Sequence, residues 1–201
     1  MKWFVALAAG LTVLGALFFL TRSPEIPKVT RDGPIVAFGD SLIYGTGSSG
    51  GGFVKMLEEK IQKPIVNLGI PGETTGDGLK RLESVIGLKP SVVILLLGGN
   101  DYLRRIPQGE TFANLETIIQ RLQEDGVSVF LIGVRGGVLR DNFASRYEEL
   151  AEKFKVAYVH DVLDDTLGVP KYMDDQVHPN DAGYRVIAER VYPVLAEMIE
   201  R

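Results

Sequence analysis

Four separated stretches of this chain carry residues that together can transfer an acyl group. Ser41 stands in Gly39-Asp40-Ser41-Leu42, directly after a short apolar run. A serine hydroxyl is a weak nucleophile until a base accepts its proton, and His178 is the base the sequence offers. An imidazole in that role needs its second nitrogen held by an acceptor that also stabilises the imidazolium. Asp175, three residues before His178 in Asp174-Asp175-Gln176-Val177-His178-Pro179-Asn180, has the spacing to reach back to it. The carbonyl oxygen under attack turns anionic and must meet donors already in place. The Ser41 N–H, the Gly72 N–H and the Asn100 side-chain amide can supply three.

A second motif competes for the first of these stretches. Gly45-Thr46-Gly47-Ser48-Ser49-Gly50 spells G-x-G-x-x-G, the sequence of a loop that cradles a dinucleotide pyrophosphate. A dinucleotide fingerprint begins inside the turn that follows its strand, whereas this one starts some way beyond Phe38. No acid ends the next apolar run to hold a ribose; Asn67 and Leu68 stand there. The lysine and hydroxyl ending of a phosphate loop is also missing, so these glycines are expected to shape an open wall beside Ser41. His160, Asp40 and Asp101 are read as structural, the two acids bonding loop backbones. Arg104, Arg105, Arg135 and Arg140 follow the third and fourth apolar runs. They are expected as solvated loop charge, the alternative being to steer a phosphate or carboxylate on the substrate.

The elements that must position these groups follow from hydrophobic periodicity. Apolar runs over residues 35–38, 65–68, 92–97, 127–132 and 156–159 read as strands. Val92 to Leu97 is apolar on both alternating faces, as a central strand covered on both sides requires. Helical patterns fall near 53–62, 76–87, 110–125 and 141–154. Phe112, Leu115, Ile118, Ile119 and Leu122 form one core stripe. A last helix is expected over about 180–200, kinked or split at Pro193. Alternation of this kind predicts a three-layer α/β/α sandwich on a five-stranded parallel sheet. Working groups in such folds gather at the carboxyl ends of the strands, and all four stretches follow strands or lead into the final helix.

The four blocks resemble the SGNH hydrolases, the GDSL family of esterases and lipases. Gly98-Gly99-Asn100-Asp101 and the run from Tyr172 to Asn180 are similar to a bacterial subgroup with thioesterase, lysophospholipase and arylesterase activities. The resemblance runs from Ile35 onward and implies a flavodoxin-like SGNH fold. It implies catalysis by Ser41, Asp175 and His178 through an acyl-enzyme, with an oxyanion hole of Ser41, Gly72 and Asn100 and no cofactor or metal. The family pattern puts the backbone donor on the second glycine of N-x-G-x-x-G, hence Gly72 rather than Gly69. The substrate it implies is a small acyl ester or thioester; a carbohydrate acetylesterase of the same fold and a tethered binding module without catalysis are the alternatives. The run Gly50-Gly51-Gly52 departs from the usual pattern.

Composition sets the remaining bounds. The chain has 201 residues, 45% hydrophobic and 24% charged, with net charge −4. Lys2, Arg22, Lys28 and Arg31 outweigh Glu25 and Asp32, so residues 34–201 are more acidic than the whole. An acidic domain without a basic run is a poor partner for nucleic acid. No cysteine is present, which excludes disulfides and thiolate chemistry, and two histidines make a poor metal site. Trp3 to Leu20 carries no charge, and its 18 residues would span about 27 Å as a helix. Residues 1–22 therefore read as a membrane anchor or a signal segment, 23–33 as a tether, and 34–201 as one hydrolase domain. The domain is expected to lie outside the cytoplasm, anchored to the membrane or released by cleavage.

Overall fold

A computed structural model describes residues 26–135 and 143–200. In chain order it contains β1 (Ile35–Gly39), α1 (Ser41–Tyr44), α2 (Gly52–Ile61), β2 (Ile65–Gly69), α3 (Thr75–Lys80), α4 (Leu82–Ile86), β3 (Val92–Leu96), α5 (Gly99–Leu103), α6 (Gln108–Glu124), β4 (Ser128–Ile132), α7 (Phe143–Phe154), β5 (Ala157–Val159), a 3-10 turn (Pro170–Tyr172) and α8 (Asp181–Ile199). The five strands pair in parallel in the order β2-β1-β3-β4-β5. With helices on both faces this is the expected three-layer α/β/α sandwich.

Strand order explains where a site can form. β1 pairs with β2 on one side and β3 on the other, so its outgoing connection and that of β3 diverge. A crevice opens at the carboxyl ends where such connections part. Every residue of β1 and β3 is buried, as a doubly covered strand demands. The chains approach too closely for any side chain at the last position of β1: a Cβ on Gly39 would lie 2.1 Å from Leu96 O.

Two helices differ from the periodic reading. The pattern over 76–87 is interrupted at Arg81, which caps α3 and opens α4 with φ −104° and ψ 8°. No proline or glycine stands there to signal the break. The last helix, by contrast, is not split by Pro193. Tyr184, Ile187, Ala188, Val191, Leu195 and Met198 are buried along its length, and this packing outweighs the one backbone hydrogen bond that proline removes.

Residues 26–33, expected as tether, lie along the domain. The Val29 N–H donates to Met198 O at 2.8 Å and Lys28 Nζ to Glu197 O at 2.6 Å, so this segment satisfies the terminal carbonyls of α8. Among the described residues no helix is long and apolar enough to cross a membrane. The apolar run expected as anchor or signal, residues 1–22, lies outside the described residues, as does Arg140.

Candidate active site

Ser41 is delivered by the turn from β1 into α1. The buried Asp40 caps that helix, its carboxylate accepting the Leu42 N–H at 3.0 Å, while the Tyr44 N–H returns to Asp40 O. Gly45 ends the helix in the left-handed conformation, φ 92°. A single helical turn between two fixed ends leaves Ser41 at the top of the sheet with its residue 8% exposed.

His178 and Asp175 arrive on one short loop. Met173 bridges to Pro179, and the Asp174 N–H donates to His178 O at 2.9 Å, which closes residues 173–179 upon themselves. Asn180 secures the base: its amide nitrogen donates to Lys171 O and Met173 O, while its oxygen accepts the Ala182 and Gly183 N–H groups and caps α8. Within the loop one Asp175 oxygen accepts the Val177 and His178 N–H groups at 2.8 and 2.7 Å. The other lies 2.7 Å from His178 Nδ1. His178 Nε2 is 3.0 Å from Ser41 Oγ, so hydroxyl, imidazole and carboxylate stand in file. That geometry fixes the tautomer with Nδ1 protonated and Nε2 accepting the serine proton. The hydrogen bond from His178 holds the Asp175 carboxyl well below its ordinary value, at about 2. It is therefore ionised throughout the neutral range. The N–H of its neighbour Asp174 serves the loop closure, and the carboxylate beside His178 Nδ1 is that of Asp175.

Three potential donors face the same crevice. Gly72 has φ +84°, a conformation that strains any residue with a Cβ. Among the described residues neither its N–H nor that of Ser41 donates to a protein acceptor. The Gly69 N–H, in contrast, is taken by Asn67 Oδ1 at 2.9 Å, and a Cβ there would meet Tyr44 N at 2.2 Å. Gly69 serves close packing, and the free donor is at Gly72. Asn100, in the first turn of α5 after β3, donates from Nδ2 to Glu73 O at 3.0 Å and reaches Asp40 Oδ2 at 3.3 Å. Asp40 is 2% exposed, and burial pushes its carboxyl up to about 7, against the lowering effect of the Leu42 N–H and of His178. Asp101 accepts from Thr75 N and Oγ1 and ties the loop after β2 to α5, a structural role like the one expected.

These groups open into a cavity of about 400 Å³. Leu42, Leu103, Val134, Leu163, Leu167 and Val177 give it an apolar wall beside Ser41 and His178. Periodicity does not reveal this wall, because its members lie in five different loops and short turns and fall into no repeating pattern. Of the four arginines, Arg135 lines the cavity but is paired with Asp161 and Asp164, and Arg104 donates to Gly72 O at 2.6 Å. His160 lies exposed at the end of β5, edge-on to Tyr158.

The G-x-G-x-x-G loop holds an anion of its own. Asp181, the first residue of α8, accepts from Ser48 Oγ, Ser49 N, Ser49 Oγ and, at 3.4 Å, Gly50 N. Its carboxylate occupies the donors that a phosphate would need. Thr46 lines the cavity and Gly47 packs on the His178 loop, where a Cβ would lie 2.5 Å from Pro179 O.

A parallel sheet of this order with a hydroxyl, an imidazole and a carboxylate in file at its carboxyl edge defines an α/β/α hydrolase. Residues 37–186 match the GDSL-like lipase/acylhydrolase family, and the chain belongs to it: it is a carboxylic ester hydrolase. It is similar to the esterase TesA of Pseudomonas aeruginosa, 30% identical over 82% of this chain and 89% of that protein. It is also similar to the thioesterase 1/protease 1/lysophospholipase L1 of Escherichia coli K12, 30% identical over 77% and 79%. The crystal structure of the psychrotrophic esterase EstA from Pseudoalteromonas, inhibited by monoethylphosphonate, superposes with TM-score 0.74 at 27% identity, covering 83% of this chain and 98% of that one.

Proposed function

We propose that the protein hydrolyses short- to medium-chain acyl esters and thioesters, aryl esters among them, through an acyl-enzyme on Ser41. The observation that carries this reading is the Ser41–His178–Asp175 file opening into an apolar cavity. Ser41 Oγ attacks the carbonyl carbon as its proton passes to His178 Nε2, and Asp175 stabilises the imidazolium that forms. The Ser41 and Gly72 N–H groups and the Asn100 amide meet the oxyanion. Collapse of the tetrahedral adduct breaks the ester or thioester bond, and the leaving alcohol or thiol takes the proton from His178. Water then enters, loses a proton to His178, attacks the acyl carbon and releases the acid with Ser41 restored. No step draws on a metal or cofactor.

The cavity's size lies at the lower end of the range typical of small-molecule sites and its wall is apolar, which suits an acyl chain of modest length. The names of the relatives support the same range of substrates, from esters and thioesters to lysophospholipids. Residues 1–22 serve in this reading as an anchor or signal that places the domain outside the cytoplasm; carbonate extraction and the mass of the mature amino terminus distinguish the two. A fluorophosphonate probe tests the chemistry. It is expected to modify Ser41 in the wild type and to leave Ser41→Ala unlabelled. A folded, active protein without an adduct at Ser41 refutes the mechanism.

A further inference from the structure

Arg81 has no place in the acyl-transfer set, yet its guanidinium joins the parts of the protein on which that set stands. It lies at the unsignalled break between α3 and α4, 4.3 Å from the centre of the Phe38 ring on β1. Nη2 donates to Leu68 O at 2.8 Å and to Gly39 O at 3.2 Å, carbonyls at the penultimate position of β2 and the last position of β1. Nε donates to both Glu73 oxygens at 2.8 Å, and Nη2 adds a further bond to Glu73 Oε2. Both side chains of the pair are largely buried.

Two of these partners, Gly39 and Glu73, lie within two residues in the chain of groups of the proposed mechanism. Gly39 precedes Asp40 and Ser41. Glu73 follows Gly72, and Glu73 O is the carbonyl that receives the Asn100 amide at 3.0 Å. The loop from Ile70 to Glu73 is otherwise held by the Ile70 N–H on Gly39 O, the Glu73 N–H on Ile70 O and Arg104 on Gly72 O. A planar fork with five donors can span two strand ends and a carboxylate at once; an ammonium cannot.

We infer that Arg81 is a positioning residue for the oxyanion side of the site: through Glu73 and Gly39 it sets where the Gly72 N–H, the Asn100 amide and the Ser41 turn stand relative to one another. The inference rests on the acyl-transfer reading. A displacement of about 1 Å in such groups costs on the order of a hundredfold in rate. Arg81→Met is therefore expected to lower kcat about 10- to 100-fold with KM changed less than about threefold, because most of the apolar wall that faces the acyl chain (Leu42, Leu103, Val134, Leu163, Leu167 and Val177) lies outside this loop. The pH midpoint of kcat/KM, which reports the base, is expected to stay where it is. Arg81→Lys keeps the charge but not the fork and is expected to recover only part of the loss.

A cycle with Asn100→Ala separates this role from simple stabilisation. If Arg81 acts through the oxyanion donors, Arg81→Met costs much less in the Asn100→Ala background than in the wild type. Circular dichroism and active-site titration with a fluorophosphonate give the folded fraction. Should Arg81→Met not fold, Arg81→Lys and Glu73→Gln carry the same cycle, each expected at least about fivefold down in kcat. Wild-type kcat in the folded variants, or losses that multiply in full with Asn100→Ala, overturns the inference. Retained turnover by Ser41→Ala is a separate failure, that of the acyl-transfer reading itself.

Discussion

The nucleophile and its base are seated in opposite ways. Ser41 rises from β1, whose every residue is buried, and from a one-turn helix capped by a carboxylate that is 2% exposed. His178 and Asp175 sit on a loop at the rim, the Asp175 side chain 49% exposed and its position set by hydrogen bonds within seven residues. Tertiary packing places one half of the constellation and local backbone geometry the other. Changes to the packing beneath the nucleophile should therefore act on stability as well as rate, and changes on the rim chiefly on rate.

The largest effect tests that division at its centre. Ser41→Ala and His178→Ala are each expected to lower kcat by about 10⁴-fold or more, measured with p-nitrophenyl esters. Thermal melts within a few degrees of wild type should accompany them, since neither substitution empties the core. Next in size is Asp175→Asn, expected to cost about 10²- to 10⁴-fold in kcat because the amide favours the wrong imidazole tautomer. Its melting temperature should hardly move. A large loss of stability in that variant would break the distinction between the two halves.

On the core side Gly39→Ala is expected to destabilise by about 2–4 kcal/mol in urea unfolding, as the new Cβ meets Leu96 O and Ile43 Cγ1 in buried surroundings. Asp40 sharpens the contrast through pH. Its carboxyl ordinarily ionises near 3.8 and in the fold near 7, so the native state holds more protons than the unfolded chain between those values. Stability from this group is greatest below about pH 4 and is lost as pH rises to about 7, by up to about 1.4 kcal/mol per unit of difference. Asp40→Asn should flatten urea stability across that window. Asp175 has the reverse sign, its contribution being present above about pH 4 and lost as pH falls toward about 2. The smallest change expected is from Asp181→Ala, which frees the donors of Ser48, Ser49 and Gly50, with faster proteolysis at residues 47–52 as the sensitive measurement.

What the sequence discloses follows the same division. The central strands are legible because burial on both faces leaves unbroken apolar runs, as in Val92 to Leu96. The chemistry is legible because Asp175 and His178 lie three residues apart and because Ser41 and Asn100 directly follow strands. Long-range polar contacts leave no such mark. Arg81 falls in an amphipathic stretch where an arginine reads as surface, and only the fold brings it to Gly39, Leu68 and Glu73. Asp181 likewise reads as a first-turn acid, and nothing near it in sequence announces that it fills the glycine loop more than 130 residues earlier. The absence of a split at Pro193 has the same origin, since the packing that keeps α8 continuous is contributed by other elements.

Because Met173 and Pro179 close the rim loop upon itself, the imidazole and the acid that tunes it travel as a single unit. A displacement of that unit changes the gap to the serine while the contact between imidazole and carboxylate travels with it. Turnover in this architecture can be throttled by geometry alone.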